Sequence, residues 1–365
     1  MRVRRSAGAI ALVTGLGLVG AGTTAPVASA GGSGDHDATV LASGLDGPFG
    51  LDVTPRGGVV TAESVSGQVT WVNRFGHQNA IINKAAGVAG AAVGPHHVFA
   101  AIGGPNEDGS PPHGKYPPSS VLRSNHRGHH VQVIADLLTY ELRHNPDGQV
   151  QLVDGKPADA LSNPFSMNAS RYGLLVADGG ANDVLRVNRG TGHVSTFFVP
   201  PTVKDVPACL EPGAQANPGT KGCDPVPTGI AVANGGIYVS TLGAEVPKAG
   251  RVYKLNPRNG KVLRVWKGLT APTGIAVTPA GTIFVSEVMY GAPAGDAPPP
   301  PNFDPSSVGR ITKIAHGVRT HAAVTMPTGL DYKDGRLYAS AWSIASFLGI
   351  QHAGQIVRVH ARAFH

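Results

Sequence analysis

Apolar residues along this chain come in short bursts, alternating with polar ones and separated by turns rich in Gly, Pro, Asn and Asp. That two-residue period belongs to β-strands. The bursts are grouped, because a related tripeptide recurs: Pro48-Phe49-Gly50, Val88-Ala89-Gly90, Pro164-Phe165-Ser166, Pro227-Thr228-Gly229, Pro272-Thr273-Gly274 and Pro327-Thr328-Gly329. Each opens a unit of three or four strands. The fourth unit reads as strands over 229–232, 236–241, 251–255 and 261–266. In every unit the first strand is small and apolar, as an innermost strand must be where sheets converge. A Gly-containing turn follows in most units, and then a β-branched or aromatic strand. A repeat of this period means a propeller, solenoid or array.

The last unit lacks a fourth strand, and the segment Ala38-Thr39-Val40-Leu41-Ala42 ahead of the first tripeptide can supply it. Pairing the two would close the ring and remove its open edges. The expectation is an all-β, six-bladed β-propeller closed by an N-terminal strand that completes the last blade. A β-sandwich or a pair of smaller sheets is the alternative. Insertions interrupt the spacing at 103–118, 136–162, 209–223 and 291–305. Within the second of these, 137–144 reads as a short helix capped by Asp136 and stopped by Asn145-Pro146-Asp147-Gly148.

Composition adds a compartment. Arg2, Arg4 and Arg5 precede an apolar run that ends at Ala28-Ser29-Ala30, the pattern of a secretory signal peptide over 1–30, with the propeller domain over 31–365. No other segment reads as an integral membrane span. The formal charge of +7 falls to about +4 once the three arginines leave, and the excess is scattered. Nucleic acid is therefore not an expected partner. Cys209 and Cys223 are the chain's two cysteines. In an oxidising compartment so close a pair forms a disulfide across a loop-like segment.

Several stretches together resemble the ScyD/ScyE family. They are Ala135-Asp136-Leu137 with Tyr140-Glu141, Asn145-Pro146-Asp147-Gly148 and Ser162-Asn163-Pro164-Phe165, the run from Leu174 to Val187, Pro225-Val226-Pro227-Thr228, and Val40-Leu41-Ala42-Ser43-Gly44-Leu45. The resemblance spans essentially the whole mature chain and implies an exported, NHL-like propeller. That family is named for proteins associated with scytonemin pigment biosynthesis in cyanobacteria. This chain departs from it at 85–94 and in its His-rich loops, so the pigment pathway is not carried over.

The candidate chemistry lies at equivalent positions of the units. Second strands end in Glu63, Asp178 and Glu287 in units one, three and five. Converging on a channel, these carboxylates could hold Ca²⁺ or another divalent cation. Otherwise they tie down the following loop through backbone N–H groups. The middle tripeptide residues are Phe49, Ala89, Phe165, Thr228, Thr273 and Thr328. Lactonases of similar architecture place Asn or Asp there to reach a central metal, and that set is missing. Phe49, Phe165, Thr228, Thr273 and Thr328 would instead present rings and hydroxyls to an apolar or planar ligand at the channel mouth. Glu141 and His144, at helical spacing, suit acid–base work near a ligand, against the plainer reading of a helix stop. His96, His97, His113, His126, His129 and His130 form a His-rich stretch without a zinc-site spacing, which reads as solvated turns or as a zinc or copper site.

No coherent catalytic set emerges. The first expectation is an exported, monomeric, non-catalytic propeller that binds a small molecule or an extracytoplasmic protein. The alternative is a secreted, metal-dependent lactonase- or lyase-like enzyme with its site at the central channel. A quinone-dependent dehydrogenase is disfavoured, because no His–Arg pair stands out.

Overall fold

The computed structural model describes residues 37–106, 113–212, 214, 217–293 and 300–365. The signal-peptide expectation over 1–30 lies outside these residues. The described chain forms six antiparallel four-stranded sheets and one small hairpin, Leu152–Val153 with Lys156–Pro157. The inner strands of blades 1 to 6 are Pro48–Val53, Val88–Val93, Pro164–Ser170, Pro227–Ala233, Pro272–Val277 and Leu330–Lys333. Each inner strand contacts the next, and that of blade 6 returns to blade 1. The outer strand of blade 6 is Ala38–Leu45, antiparallel to Gly354–Val359, with Ala38 opposite Val359. The ring is thus a six-bladed propeller clasped by its N-terminal strand.

Alternation along the strands builds the cores between blades. In the second strand of blade 4, Ile237 and Val239 face blade 3, where they pack with Leu175, Ala177 and Val184. Tyr238, between them, faces blade 5 and packs with Ile275, Ile283 and Val285. A period of two serves both neighbours at once. The tripeptide glycine follows from the same crowding. A Cβ on Gly274 would lie 2.0 Å from Thr328 O, and one on Gly329 would lie 2.3 Å from Phe49 O. The neighbouring backbone occupies the space of a side chain.

Antiparallel order also sorts the loops. Connections between strands one and two, and between three and four, are short turns on one end of the ring. All the long connections, near 103–119, 137–163, 199–226, 288–309 and 342–353, join strand two to three or strand four to the next blade. They therefore emerge together on the opposite end. Helix α1 (Leu137–His144) stands there, with Asp136 accepting from Thr139 N as N-cap and Asn145 left-handed at its C-terminus. No helix among the described residues is long and apolar enough to cross a membrane.

Candidate functional site

The inner strands surround a central cavity of about 30 Å³, whose lining includes Phe49, Phe165, Thr228, Thr273 and Thr328. The five channel residues do share one site, and the Phe49 and Phe165 rings lie 5.5 Å apart. Their setting differs from a ligand-presenting mouth. Thr228, Thr273 and Thr328 are buried, and each hydroxyl donates to the next blade. Thr228 reaches Pro272 O at 2.8 Å, Thr273 reaches Pro327 O at 3.1 Å and Thr328 reaches Pro48 O at 3.0 Å. Serines near the ends of the second strands repeat the pattern. Ser286 accepts from Gly274 N at 2.6 Å and donates to Thr328 O at 2.6 Å, and Ser340 accepts from Gly329 N and donates to Phe49 O. Ala62, Ala101 and Ala177 stand at this place in blades 1 to 3. The hydroxyl clasp thus belongs to blades 4 to 6. Sequence reasoning missed the serines, although a Ser near the end of the second strand accompanies each Pro-Thr-Gly. The cavity has room for one or two waters, far below the several hundred Å³ of a small-molecule pocket. On the loop side Phe49 packs under an apolar cap that includes Val288, Val308, Met326 and Ile344.

The three second-strand acids sit in three different blades and are held within them. Glu63 accepts from Asp46 N at 2.8 Å and from the Thr70 hydroxyl. Asp178 accepts from Asn163 N at 2.6 Å and from Ser162 Oγ at 2.6 Å. Glu287 accepts from Thr270 N at 2.6 Å, from Arg310 Nε at 2.8 Å and from the Thr312 hydroxyl. Each ties the loop before its tripeptide to the end of the second strand. Among the described residues, no three His, Cys, Asp or Glu side chains stand in metal-holding geometry.

Glu141 and His144 part company. His144 is exposed, stacked on Tyr140 at 4.1 Å, with its Nδ1 2.9 Å from Tyr140 O. Glu141 turns inward, 4% exposed, and accepts from Gln151 Nε2 at 2.9 Å. It lines a recess of about 10 Å³ with Asp147, Asp159, Gln149, Gln151 and Asn217. Around the recess the buried carboxyls crowd. Burial, and then Asp147 and Asp178, push Glu141 up to about 7. Burial, and then Asp159 and Asp147, push Asp224 up to about 6. Asp183 is fully buried and raised well above its usual value by burial, then by Asp178, Glu141 and Asp147. The ion pairs of the described residues join Arg251 and Lys267 to Asp205, Arg310 to Glu287 and His352 to Asp46. None serves this group. Asp159, Asp183 and Asp224 went unnoticed in the sequence because 224 lies far along the chain from 141 and only the fold joins them.

The recess has a rigid rim. Cys209 and Cys223 form a disulfide, and Cys223 pairs with Val203 in an isolated bridge. Gln149 links this loop to the α1 segment, donating to Asp224 Oδ1 at 2.8 Å and accepting from Thr220 Oγ1 at 2.8 Å. The histidines lie elsewhere. His96, His126, His129 and His130 are exposed or half-buried on the short-turn end, as is His97, and His113 is exposed.

No protein-family model matches this chain, and no curated protein matches it in sequence. Solved structures match it in fold. The gluconolactonase of Xanthomonas campestris is 11% identical, with a TM-score of 0.52, and the match covers 88% of each chain. A protein of unknown function from Bacteroides thetaiotaomicron is 11% identical with a TM-score of 0.52, over 89% of this chain and 76% of that one. A glucose-dehydrogenase-type oxidoreductase of Thermus thermophilus is 15% identical with a TM-score of 0.51, over 88% and 99%. At such identities the likeness is one of fold alone.

Proposed function

We propose that this chain is an exported, ScyD/ScyE-like propeller that acts by binding a small molecule or an extracytoplasmic protein on its loop-bearing end. The observation that carries this reading is the contrast between the two candidate sites. The channel is narrow, capped by apolar side chains, and its threonine hydroxyls donate between blades. The loop end gathers every long connection, a disulfide and a recess of acids. Loops on a rigid scaffold carry recognition. The disulfide and the resemblance both support an extracytoplasmic setting, and the removal of residues 1–30 belongs to the same proposal.

A second reading, a secreted lactonase- or lyase-like enzyme, draws on one feature of the site. A carboxyl held near 7 is poised for proton transfer at neutral pH. The gluconolactonase among the fold neighbours suggests the substrate class to try. One experiment separates the two. Purified mature chain is screened by thermal shift against divalent metals, lactones and aromatic compounds, and lactone hydrolysis is followed in parallel. Binding without turnover is expected. Lactone turnover that disappears in Glu141→Gln overturns the non-catalytic reading.

A further inference from the structure

We infer that the recess between helix α1, blade 3 and the disulfide loop is a site for one hard divalent cation, calcium by its donor chemistry, held by Glu141, Asp147 and Asp159 in the field of Asp183 and Asp224. The decisive observation is a set of oxygens without partners. Glu141 lines the recess and is 4% exposed, yet its Oε2 receives no hydrogen bond among the described residues. Asp183, fully buried behind it, has no partner on either carboxylate oxygen, and Asp224 Oδ2 and Asn145 Oδ1 are buried without one. Buried acceptors without donors are costly, and buried carboxylates more so. Three of the local amides are already engaged: Gln151 by Glu141 Oε1, Gln149 by Asp224 Oδ1 and Asn182 by Asp147 Oδ2.

Size and donor type select the occupant. A space of about 10 Å³ admits one water-sized species, which excludes an organic ammonium or guanidinium group. The donors are carboxylate and amide oxygens, with no sulfur or imidazole at the recess, so zinc and copper are disfavoured. As the side chains stand, no three carboxylates meet in one shell. The inferred site therefore requires the Glu141 side chain to rotate inward, with Asn217 and water filling the rest of the shell. Calcium takes six to eight oxygens in irregular arrangements, whereas magnesium demands a near-ideal octahedron. This site is distinct from Glu63, Asp178 and Glu287, whose oxygens are held in their own blades. Its consequence is mechanical, because an ion there pins the α1 segment at its junction with blade 3 and the disulfide loop. The inference deepens the binding reading by naming what the recess takes. Its readout is ion binding alone, so its failure leaves a larger ligand on the loop end untouched.

The test uses mature chain stripped with chelator, then titrated with CaCl₂, MgCl₂ or NaCl at matched ionic strength, by calorimetry and thermal shift. Tb³⁺ luminescence serves as an independent probe. One calcium per chain, and a Tm rise of several degrees absent with NaCl, are expected. Glu141→Gln and Asp159→Asn should each weaken calcium at least about 10-fold. Asp154→Asn, at the exposed hairpin, should bind as the parent does. Asp183→Asn guards against misfolding as an explanation. It replaces a buried carboxyl with no hydrogen-bond partner, so its ion-free Tm should hold or rise while its calcium shift shrinks. No saturable calcium or Tb³⁺ binding overturns the inference, as does a calcium shift unchanged in Glu141→Gln and Asp159→Asn.

Discussion

Ser286 shows how much of this ring rests on single hydroxyl groups. It receives the N–H of Gly274 in its own blade and gives its hydrogen to Thr328 O in the next. Its removal leaves both a buried donor and a buried acceptor without partners, which costs about 1–3 kcal/mol for each group so exposed. Ser286→Ala and Ser340→Ala are therefore expected to lower the denaturation midpoint clearly. Ser240→Ala should do so less, since Ser240 reaches Thr273 O at only 3.3 Å. Urea unfolding of the three variants checks the ranking, and equal midpoints would remove the clasp from the account. The acids at the strand ends illustrate what single residues could reveal. Both roles for Glu63, Asp178 and Glu287 were readable, loop tie or ion ligand, because a carboxylate accepts either. The choice depended on whether Asp46, Asn163 and Thr270 bring their N–H groups within reach, and strand periodicity carries no such distance.

At the scale of elements, strand alternation and helix-stop chemistry were legible because they are local. Helix α1, with its Asp136 cap and Asn145 stop, and the pairing of Ala38–Leu45 with the last blade, follow the written pattern. Contacts between distant elements were not. Asp52 of blade 1 and Asp331 of blade 6 lie together at the closing seam, while also accepting from Val93 N at 2.7 Å and Val53 N at 2.8 Å. Burial, and then the Asp331 charge, push Asp52 well up, which favours the pair carrying one proton. Asp52→Asn can keep the acceptor for Val93 and donate to Asp331. It should leave stability at pH 5 nearly unchanged and raise it at pH 8, and a loss at both pH values would count against a shared proton. The disulfide loop behaves as a separate element. Cys209→Ser should cost up to about 3 kcal/mol by loop entropy, seen as a lower Tm. The β-sheet circular dichroism of the folded ring should remain. A free-thiol count of two in the native parent would deny the bridge.

For the whole molecule, the buried acids favour the folded state at lower pH. Glu141, Asp183, Asp224 and Asp52 hold their protons more tightly folded than unfolded. A group raised in this way contributes stability that is fully present below its unfolded pKa and is lost as pH rises through its folded value. For Asp224 and Glu141 that loss runs upward from the ordinary carboxyl value and is complete by about 6 and about 7. For Glu141 alone the part of that loss above pH 5.5 amounts to at most about 2 kcal/mol. The groups facing Glu141 are Asp147, Asp178 and Asp183, all acidic, so no neighbouring base reverses the sign. His97 and His321 are held low by burial, then by nearby arginines, and act the other way as pH falls through about 6.5. They are half-exposed and so weaker opponents. Ion-free protein should therefore melt higher at pH 5.5 than at pH 8, with Glu141→Gln flattening the difference. Saturating calcium should raise the pH 8 Tm most, because there the carboxylates are free of protons to meet it. A melting profile that rises steadily from pH 5.5 to pH 8 in chelator would mean that these acids are ionised and compensated in the fold.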